Sequence, residues 1–279
     1  MMTELCSLKE TVEKHELLAK KSLGQNFLLD INITNKIIRT SLQLQKKESF
    51  SEEYVYEIGP GPGGLTRAIL NANPKKLTVI EMDKRCIRIM EEIQEAIPNK
   101  LEIIEGDALK FDFITPPEKP KNIVSNLPYN ISVPLLIMWL KNMKHFDSLT
   151  LMFQKEVAER ICADTGNKNY GRISVLSQLI CNIKHIMNLN PNCFVPAPKI
   201  WSSVLLFTPQ KNIPSEDIVK KLEKITEMAF GQRRKMIRQS LKSLPNLDEL
   251  LSLADIQPTD RAENISPEQF LIIAQNVNF

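Results

Sequence analysis

Apolar residues recur at helical spacing twice before the first extended run. Leu8, Val12 and Leu17 mark a helix over about 8–20, and Ile33, Ile37, Ile38 and Leu42 mark a second, with Asp30 placed to cap its N-terminus. A basic turn, residues 20–28, lies between them. From Tyr54 the pattern changes to short β-branched and apolar runs at 54–58, 77–81, 101–105, 121–125, 149–153, 183–189 and 202–208. Helical spacing fills the gaps near 65–72, 84–96, 131–143, 154–163 and 171–181. This alternation predicts an α/β fold, a doubly wound and mostly parallel sheet of seven strands. No helix fits between the last two strands, and Pro191, Pro196 and Pro198 stiffen that link, so these strands are expected to form an antiparallel terminal hairpin. Beyond Pro209 the spacing is helical only, near 215–230, 233–244, 247–253 and 267–276. The expected division is an α/β domain over 1–208, with an N-terminal helical extension, and a small all-α domain over 209–279.

Composition narrows the setting. A hydrophobic fraction of 43% and a charged fraction of 25% are ordinary for a soluble globular chain of 279 residues. The net charge of +3 is too small to imply nucleic-acid binding by itself. Five cysteines (Cys6, Cys86, Cys162, Cys181, Cys193) form no C-x-x-C pair, and the three histidines are isolated, so no metal site is expected. No run has the length and apolarity of a membrane span, and no secretory signal is evident. Residues 7–21 carry both charge signs, unlike an acid-poor transit peptide. A protein of the reduced cytoplasm with no membrane partner is the expectation.

The chain is organised around Tyr54-Val55-Tyr56-Glu57-Ile58-Gly59-Pro60-Gly61-Pro62-Gly63-Gly64-Leu65-Thr66, which reads as strand, glycine loop and helix. That is the entry to a nucleotide-binding α/β sheet. Glu81 follows Gly59 by 22 positions, at the end of the next strand run. A carboxylate there can bind two ribose hydroxyls, as both nicotinamide and S-adenosylmethionine enzymes require. Asp107 follows the third strand run, where ligands of such sheets lie. It can accept a hydrogen bond from an adenine amine, or equally cap a following helix.

Asn126-Leu127-Pro128-Tyr129 directly follows the fourth strand run. An aromatic amine such as adenine N6 is a poor nucleophile, because its lone pair is delocalised into the ring. Methylating it requires acceptors that hold the amine hydrogens and favour a tetrahedral nitrogen. The Asn126 side-chain oxygen and the Leu127 carbonyl suit that task, Pro128 stiffens the segment, and Tyr129 offers a flat face to an extruded base. Phe194, in a proline-stiffened loop, is a candidate for the other side of a base sandwich, or else a core residue. Between Lys211 and Lys242 nine Lys or Arg face four acids, a local charge of +5. Arg233, Arg234, Lys235 and Arg238 are its densest part: a solvated helix face, or a surface for RNA phosphates.

A seven-stranded sheet with a reversed terminal hairpin is the Rossmann-like architecture of class I methyltransferases. The chain resembles the small-subunit ribosomal RNA adenine dimethyltransferases from about Lys21 to Gln269. The resemblance is carried by Leu23-Gly24-Gln25-Asn26-Phe27-Leu28, Glu57-Ile58-Gly59-Pro60-Gly61, Asn126-Leu127-Pro128-Tyr129-Asn130-Ile131-Ser132, Gln154-Lys155-Glu156-Val157-Ala158, Tyr170-Gly171-Arg172, Phe194-Val195-Pro196-Ala197-Pro198-Lys199 and Arg261-Ala262-Glu263-Asn264-Ile265-Ser266. It departs from common members at Pro62-Gly63-Gly64 and at Trp201. The resemblance implies S-adenosylmethionine as cofactor. The implied reaction transfers two methyl groups to N6 of each of two adjacent adenosines, in a hairpin near the 3′ end of small-subunit RNA within an immature particle.

The resemblance also implies cofactor contacts, expected from Asn26, Leu28, Gly59, Gly61, Glu81, Met82, Asp107, Ala108 and Asn126; catalytic contacts are expected from Asn126, Leu127, Pro128, Tyr129 and Phe194. A monomer is expected. Leu127 and the C-terminal Arg-Ala-Glu-Asn-Ile-Ser stretch favour this family over the related large-subunit erythromycin-resistance enzymes. A nicotinamide oxidoreductase and a non-catalytic assembly factor are the competing functions. The amine-holding turn argues against the first, and the second is compatible with the enzyme.

Overall fold

The computed structural model describes residues 5–20, 24–116 and 121–278; Lys21, Ser22 and Leu23 of the basic turn lie outside them. Each expected strand run forms a strand: β2 (Tyr54–Ile58), β3 (Lys76–Glu81), β4 (Leu101–Glu105), β5 (Lys121–Asn126), β6 (Ser148–Gln154), β7 (Cys181–Leu189) and β9 (Ser202–Pro209). A two-residue strand β1 (Phe27–Leu28) and its partner β8 (Phe194–Val195) are additions the pattern is too short to show. The helices are α1 (Leu8–Lys14), α2 (Ile31–Leu44), α3 (Gly64–Asn71), α4 (Lys84–Ala96), α5 (Tyr129–Lys141), α6 (Lys155–Ile161), α7 (Arg172–Ile180), α8 (Glu216–Gly231), α9 (Ile237–Ser240), α10 (Leu247–Leu253) and α11 (Pro267–Asn276).

The sheet order is β4-β3-β2-β5-β6-β9-β7. Strands β2 to β6 pair in parallel, and β9 enters antiparallel to β6. Parallel neighbours need crossovers, and α3, α4 and α5 provide them. The chain runs outward from β2 through β3 to β4, then returns to β5 on the other side of β2. The sheet order therefore reverses between β2 and β5, where a crevice opens at the carboxyl ends of the strands. The central strands are almost wholly buried, whereas edge strand β4 is half-buried over most of its length and edge strand β7 is largely exposed.

Two helices are shorter than their patterns. The first ends at Lys14 because Glu16 takes a positive φ of 45° and the chain folds back, burying Leu17 to 3% exposure. The expected helix over 233–244 is mostly not formed. Met236 bridges to Arg261 and the Ile237 amide donates to the Asp260 carbonyl at 2.6 Å, so this backbone pairs with the 258–261 segment and only Ile237–Ser240 is helical. Asp30 caps α2 as expected.

The chain divides into two compact units, one of 1–136, 145–155 and 184–207, the other of 137–144, 156–183 and 208–279. The second begins its last segment at Thr208, and it also draws in two earlier segments that helical pattern alone does not assign. Specific bonds hold them there. The Tyr170 hydroxyl donates to the Ile265 carbonyl at 2.9 Å, the Gly166 amide to the Glu263 carbonyl at 2.7 Å, and Lys141 pairs with Glu223 at 2.7 Å. The Tyr170, Phe230 and Phe270 rings pack in series, with centroids 5.8 Å apart.

Candidate active site

The crevice between β2 and β5 is a cavity of about 290 Å³. Its lining includes every expected cofactor residue: Asn26, Leu28, Gly59, Gly61, Glu81, Met82, Asp107, Ala108 and Asn126. Leu127, Pro128 and Tyr129 line it too. One wall is the glycine loop. Gly61 has φ 55°, and a Cβ there would lie 3.0 Å from the Phe27 ring, so β1 closes over the loop only because this residue is glycine. That covering segment is held by β1 pairing with β8, and by Gln25, whose amide nitrogen donates to Asp83 Oδ2 at 3.1 Å.

Glu81 ends β3 and is 8% exposed. Its Oε1 accepts the backbone amides of Met82 (2.7 Å) and Asp83 (2.8 Å), which fixes the carboxylate at the cavity wall. Its Oε2 faces the loop, 3.5 Å from the Gly61 amide. Burial raises its pKa, and the three backbone amides oppose that rise. Met82 exposes 57% of its surface beside it. Asp107 accepts from the Leu109 amide at 3.0 Å and begins a turn, not a helix, so the helix-capping alternative is not realised.

On the other wall, Asn126 is the last residue of β5. Its Nδ2 donates to the Asn26 carbonyl at 3.3 Å, which leaves Oδ1 as the acceptor end of the amide. The Ser125 hydroxyl donates to the Ile58 carbonyl at 2.6 Å and ties β5 to the end of β2, where the glycine loop begins. Tyr129 opens α5, and its hydroxyl meets Ser202 Oγ at 2.6 Å. Burial raises the Tyr129 pKa, so the phenol is neutral.

Phe194 is absent from the lining. It is 3% exposed, pairs with Leu28 across β1 and β8, and belongs to the same apolar cluster as Phe27, Leu189 and Val204. Its ring therefore packs in the core, outside the cavity lining.

Glu57, to which the sequence motifs assign no role, lines the cavity at 1% exposure, in β2 and two residues before Gly59. The available signal was a single acid within an apolar strand. Thr66 donates to its Oε2 at 2.7 Å, and burial, with the Glu81 charge nearby, pushes its pKa up to about 8. Between its ordinary value of 4.5 and about 8 the folded protein holds this proton and the unfolded chain does not. The contribution of Glu57 to stability is thus complete below about 4.5 and lost as pH rises through about 8. Thermal unfolding from pH 5 to 8 is expected to show a fall that Glu57→Gln flattens; an unchanged profile in the variant would refute it.

The four cations of the basic stretch lie in the second unit, in and after a turn at 232–235. Arg233 pairs with Glu263 at 3.0 Å and donates to the Lys168 carbonyl, and Arg238 pairs with Asp248 at 3.4 Å. Arg234 and Lys235 are exposed and make no ion pair among the described residues. Among the described residues no cluster of His, Cys, Asp and Glu could hold a metal ion, and no helix is long and apolar enough to cross a membrane.

A seven-stranded sheet with one reversed strand, and a cofactor-sized crevice holding a glycine loop, an acid on β3 and an Asn-x-Pro-Tyr turn after β5, define a class I methyltransferase. The ribosomal RNA adenine dimethylase family profile matches residues 16–278. The chain is 44% identical to the ribosomal RNA small subunit methyltransferase A of Rhodospirillum rubrum, over 97% of this chain and 92% of that protein. It is 48% identical to the protein of the same name from Allorhizobium ampelinum, over 96% of each. The crystal structure of a dimethyladenosine transferase from Plasmodium falciparum superposes with a TM-score of 0.70 at 27% identity, covering 88% of this chain and 94% of that one. The chain belongs to the ribosomal RNA adenine dimethylase family, and it is a methyltransferase acting on ribosomal RNA.

Proposed function

We propose that this enzyme uses S-adenosylmethionine to dimethylate N6 of two adjacent adenosines in a hairpin near the 3′ end of small-subunit ribosomal RNA. It acts as a monomer, in the cytoplasm, on an immature small subunit, and needs no metal. The observation that carries this reading is Asn126-Leu127-Pro128-Tyr129 at the open end of β5, lining the same cavity as Glu81 and the glycine loop. A hydride-transfer enzyme has no use for acceptors that hold an amine.

The residues present fit the cofactor. Glu81 Oε2 is the carboxylate oxygen open to ribose hydroxyls, since it has only the long 3.5 Å contact with the Gly61 amide, whereas Oε1 is held by two amides. Asp107 keeps Oδ2 for the adenine amine, because Oδ1 serves the turn. Gly59 and Gly61 allow close backbone approach, and Asn26, Leu28, Met82 and Ala108 complete the wall. When bound, the cofactor supplies an electrophilic methyl group. Asn126 Oδ1 and the Leu127 carbonyl accept hydrogens of the target amine, and Tyr129 provides the face for the extruded base.

Glu81→Ala is expected to weaken S-adenosylmethionine binding by roughly 1.5–3 kcal/mol, the typical value of a hydrogen bond to a charged group. Calorimetric titration measures this, and wild-type affinity in the variant would refute the assignment.

For RNA, the exposed Arg234 and Lys235 are the phosphate contacts of the second unit, while Arg233 and Arg238 are engaged by acids. Neutralising Arg234 and Lys235 together is expected to flatten the dependence of log binding constant on log salt by about 0.7–0.9 per contact. Binding across a salt series tests this; an unchanged slope returns both residues to a solvated surface.

A further inference from the structure

Large apolar side chains are exposed at few places among the described residues, and three of them fall within one seven-residue stretch of the first unit: Val195 (53%), Ile200 (38%) and Trp201 (45%). The other tryptophan of the chain, Trp139, is 1% exposed. An indole left in water beside a stiff loop signals a binding surface.

Its position is defined by hydrogen bonds. The Trp201 carbonyl accepts from the Lys155 amide at 2.8 Å, which fixes its backbone at the end of β6. The next residue, Ser202, stands opposite Gln154 in the sheet and meets the Tyr129 hydroxyl at 2.6 Å. Trp201 is therefore one residue, about 3.8 Å along the chain, from the bond that holds Tyr129 at the cavity. Lys199 is exposed in the same segment. An exposed aromatic face on a segment that also carries an exposed cation suits an unpaired base with its phosphates, because every base has a π-face and stacking tolerates any sequence.

We propose that Trp201 is a second stacking platform, which takes the unpaired nucleotide adjoining the target adenosine, with Lys199 facing its phosphates. The proposal rests on the reading of Tyr129 as the target-base face. It assigns the departure from common family members at Trp201 to grip on the flanking nucleotide and not to chemistry. A ribosomal protein of the small subunit is the other conceivable occupant of an apolar patch; Lys199 and the continuity with Tyr129 favour RNA.

The test uses the full chain as wild type, Trp201→Phe and Trp201→Ala. The probes are undermethylated small subunits and a short RNA hairpin carrying the two adjacent adenosines. Trp201→Ala is expected to weaken binding to both probes by roughly 5- to 150-fold, the span of alanine substitutions at base-stacking aromatics, while Trp201→Phe keeps most of the affinity. The hairpin is expected to quench tryptophan fluorescence in the wild type but not in Trp201→Phe, whose remaining tryptophan is buried. Wild-type affinity of Trp201→Ala, or an unquenched indole, overturns the proposal. So does a loss confined to the small subunit with the hairpin unaffected, which would indicate a protein contact. Failure of the target-base reading shows separately, as normal methylation by Tyr129→Ala.

Discussion

Asn126→Ala is expected to slow single-turnover methylation of undermethylated small subunits by roughly 10²–10³-fold, the usual loss when one preorganised transition-state hydrogen bond is removed. RNA affinity is expected to stay close to wild type. The asymmetry follows from where charge develops. As the new bond to carbon forms, positive charge grows on N6, and an acceptor aimed at its hydrogens is stronger in the transition state than in the ground state. Asn126 is the proposed acceptor. Its Nδ2 is held by the Asn26 carbonyl at 3.3 Å, so the amide is oriented before the RNA arrives. No general base is needed before attack, because the nitrogen sheds its proton after it becomes cationic. The monomethylated amine still offers one hydrogen, so the same acceptors serve the second transfer.

Tyr129 separates ring from hydroxyl. Tyr129→Phe loses the 2.6 Å bond to Ser202 but keeps the face, and is expected to be mild; Tyr129→Ala is expected to be severe. Near-normal turnover by Asn126→Ala, or equal damage from Phe and Ala at 129, would sink this mechanism.

Gly64→Ala is the second large effect. A Cβ at Gly64 would lie 2.4 Å from the Leu28 carbonyl oxygen and 3.4 Å from Leu8 Cδ1. The first contact is backbone, so no side-chain rotation relieves it. Either α3 or the covering segment must move, and overpacking of this kind costs about 1–3 kcal/mol, occasionally more. The segment carries Asn26, Phe27 and Leu28 to the cavity, so the variant is expected to lose both melting temperature and S-adenosylmethionine affinity. Gly231→Ala is the control: nothing lies within 4 Å of its Cβ, and alanine is the better helix former. Equal melting temperatures for the Gly64 variant and wild type would show that the segment yields freely.

The seven strands, the glycine loop, Glu81 and the Asn126–Tyr129 turn can be read from the amino-acid order alone, because each is written in local spacing. Hydrophobic period reports which face of a short segment is buried, and position after a strand places a residue at the ligand end of the sheet. The place of the Asn126–Tyr129 turn at the ligand end of β5 was legible for that reason, and so was the Asp30 cap. Residues whose roles depend on distant partners were not. Local spacing says nothing of Asn26 and Leu28, which only the family resemblance points to; what brings them over the glycine loop is the pairing of β1 with β8. The same pairing takes Phe194 into the core. Glu57 holds its proton only because the assembled sheet buries it near Glu81. The cations at 233–238 look alike in sequence, and only the acids at 248 and 263 divide them into those with an ion pair and those without one among the described residues. Those outcomes are set by burial and by hydrogen bonds between segments far apart in the chain, which local spacing does not encode.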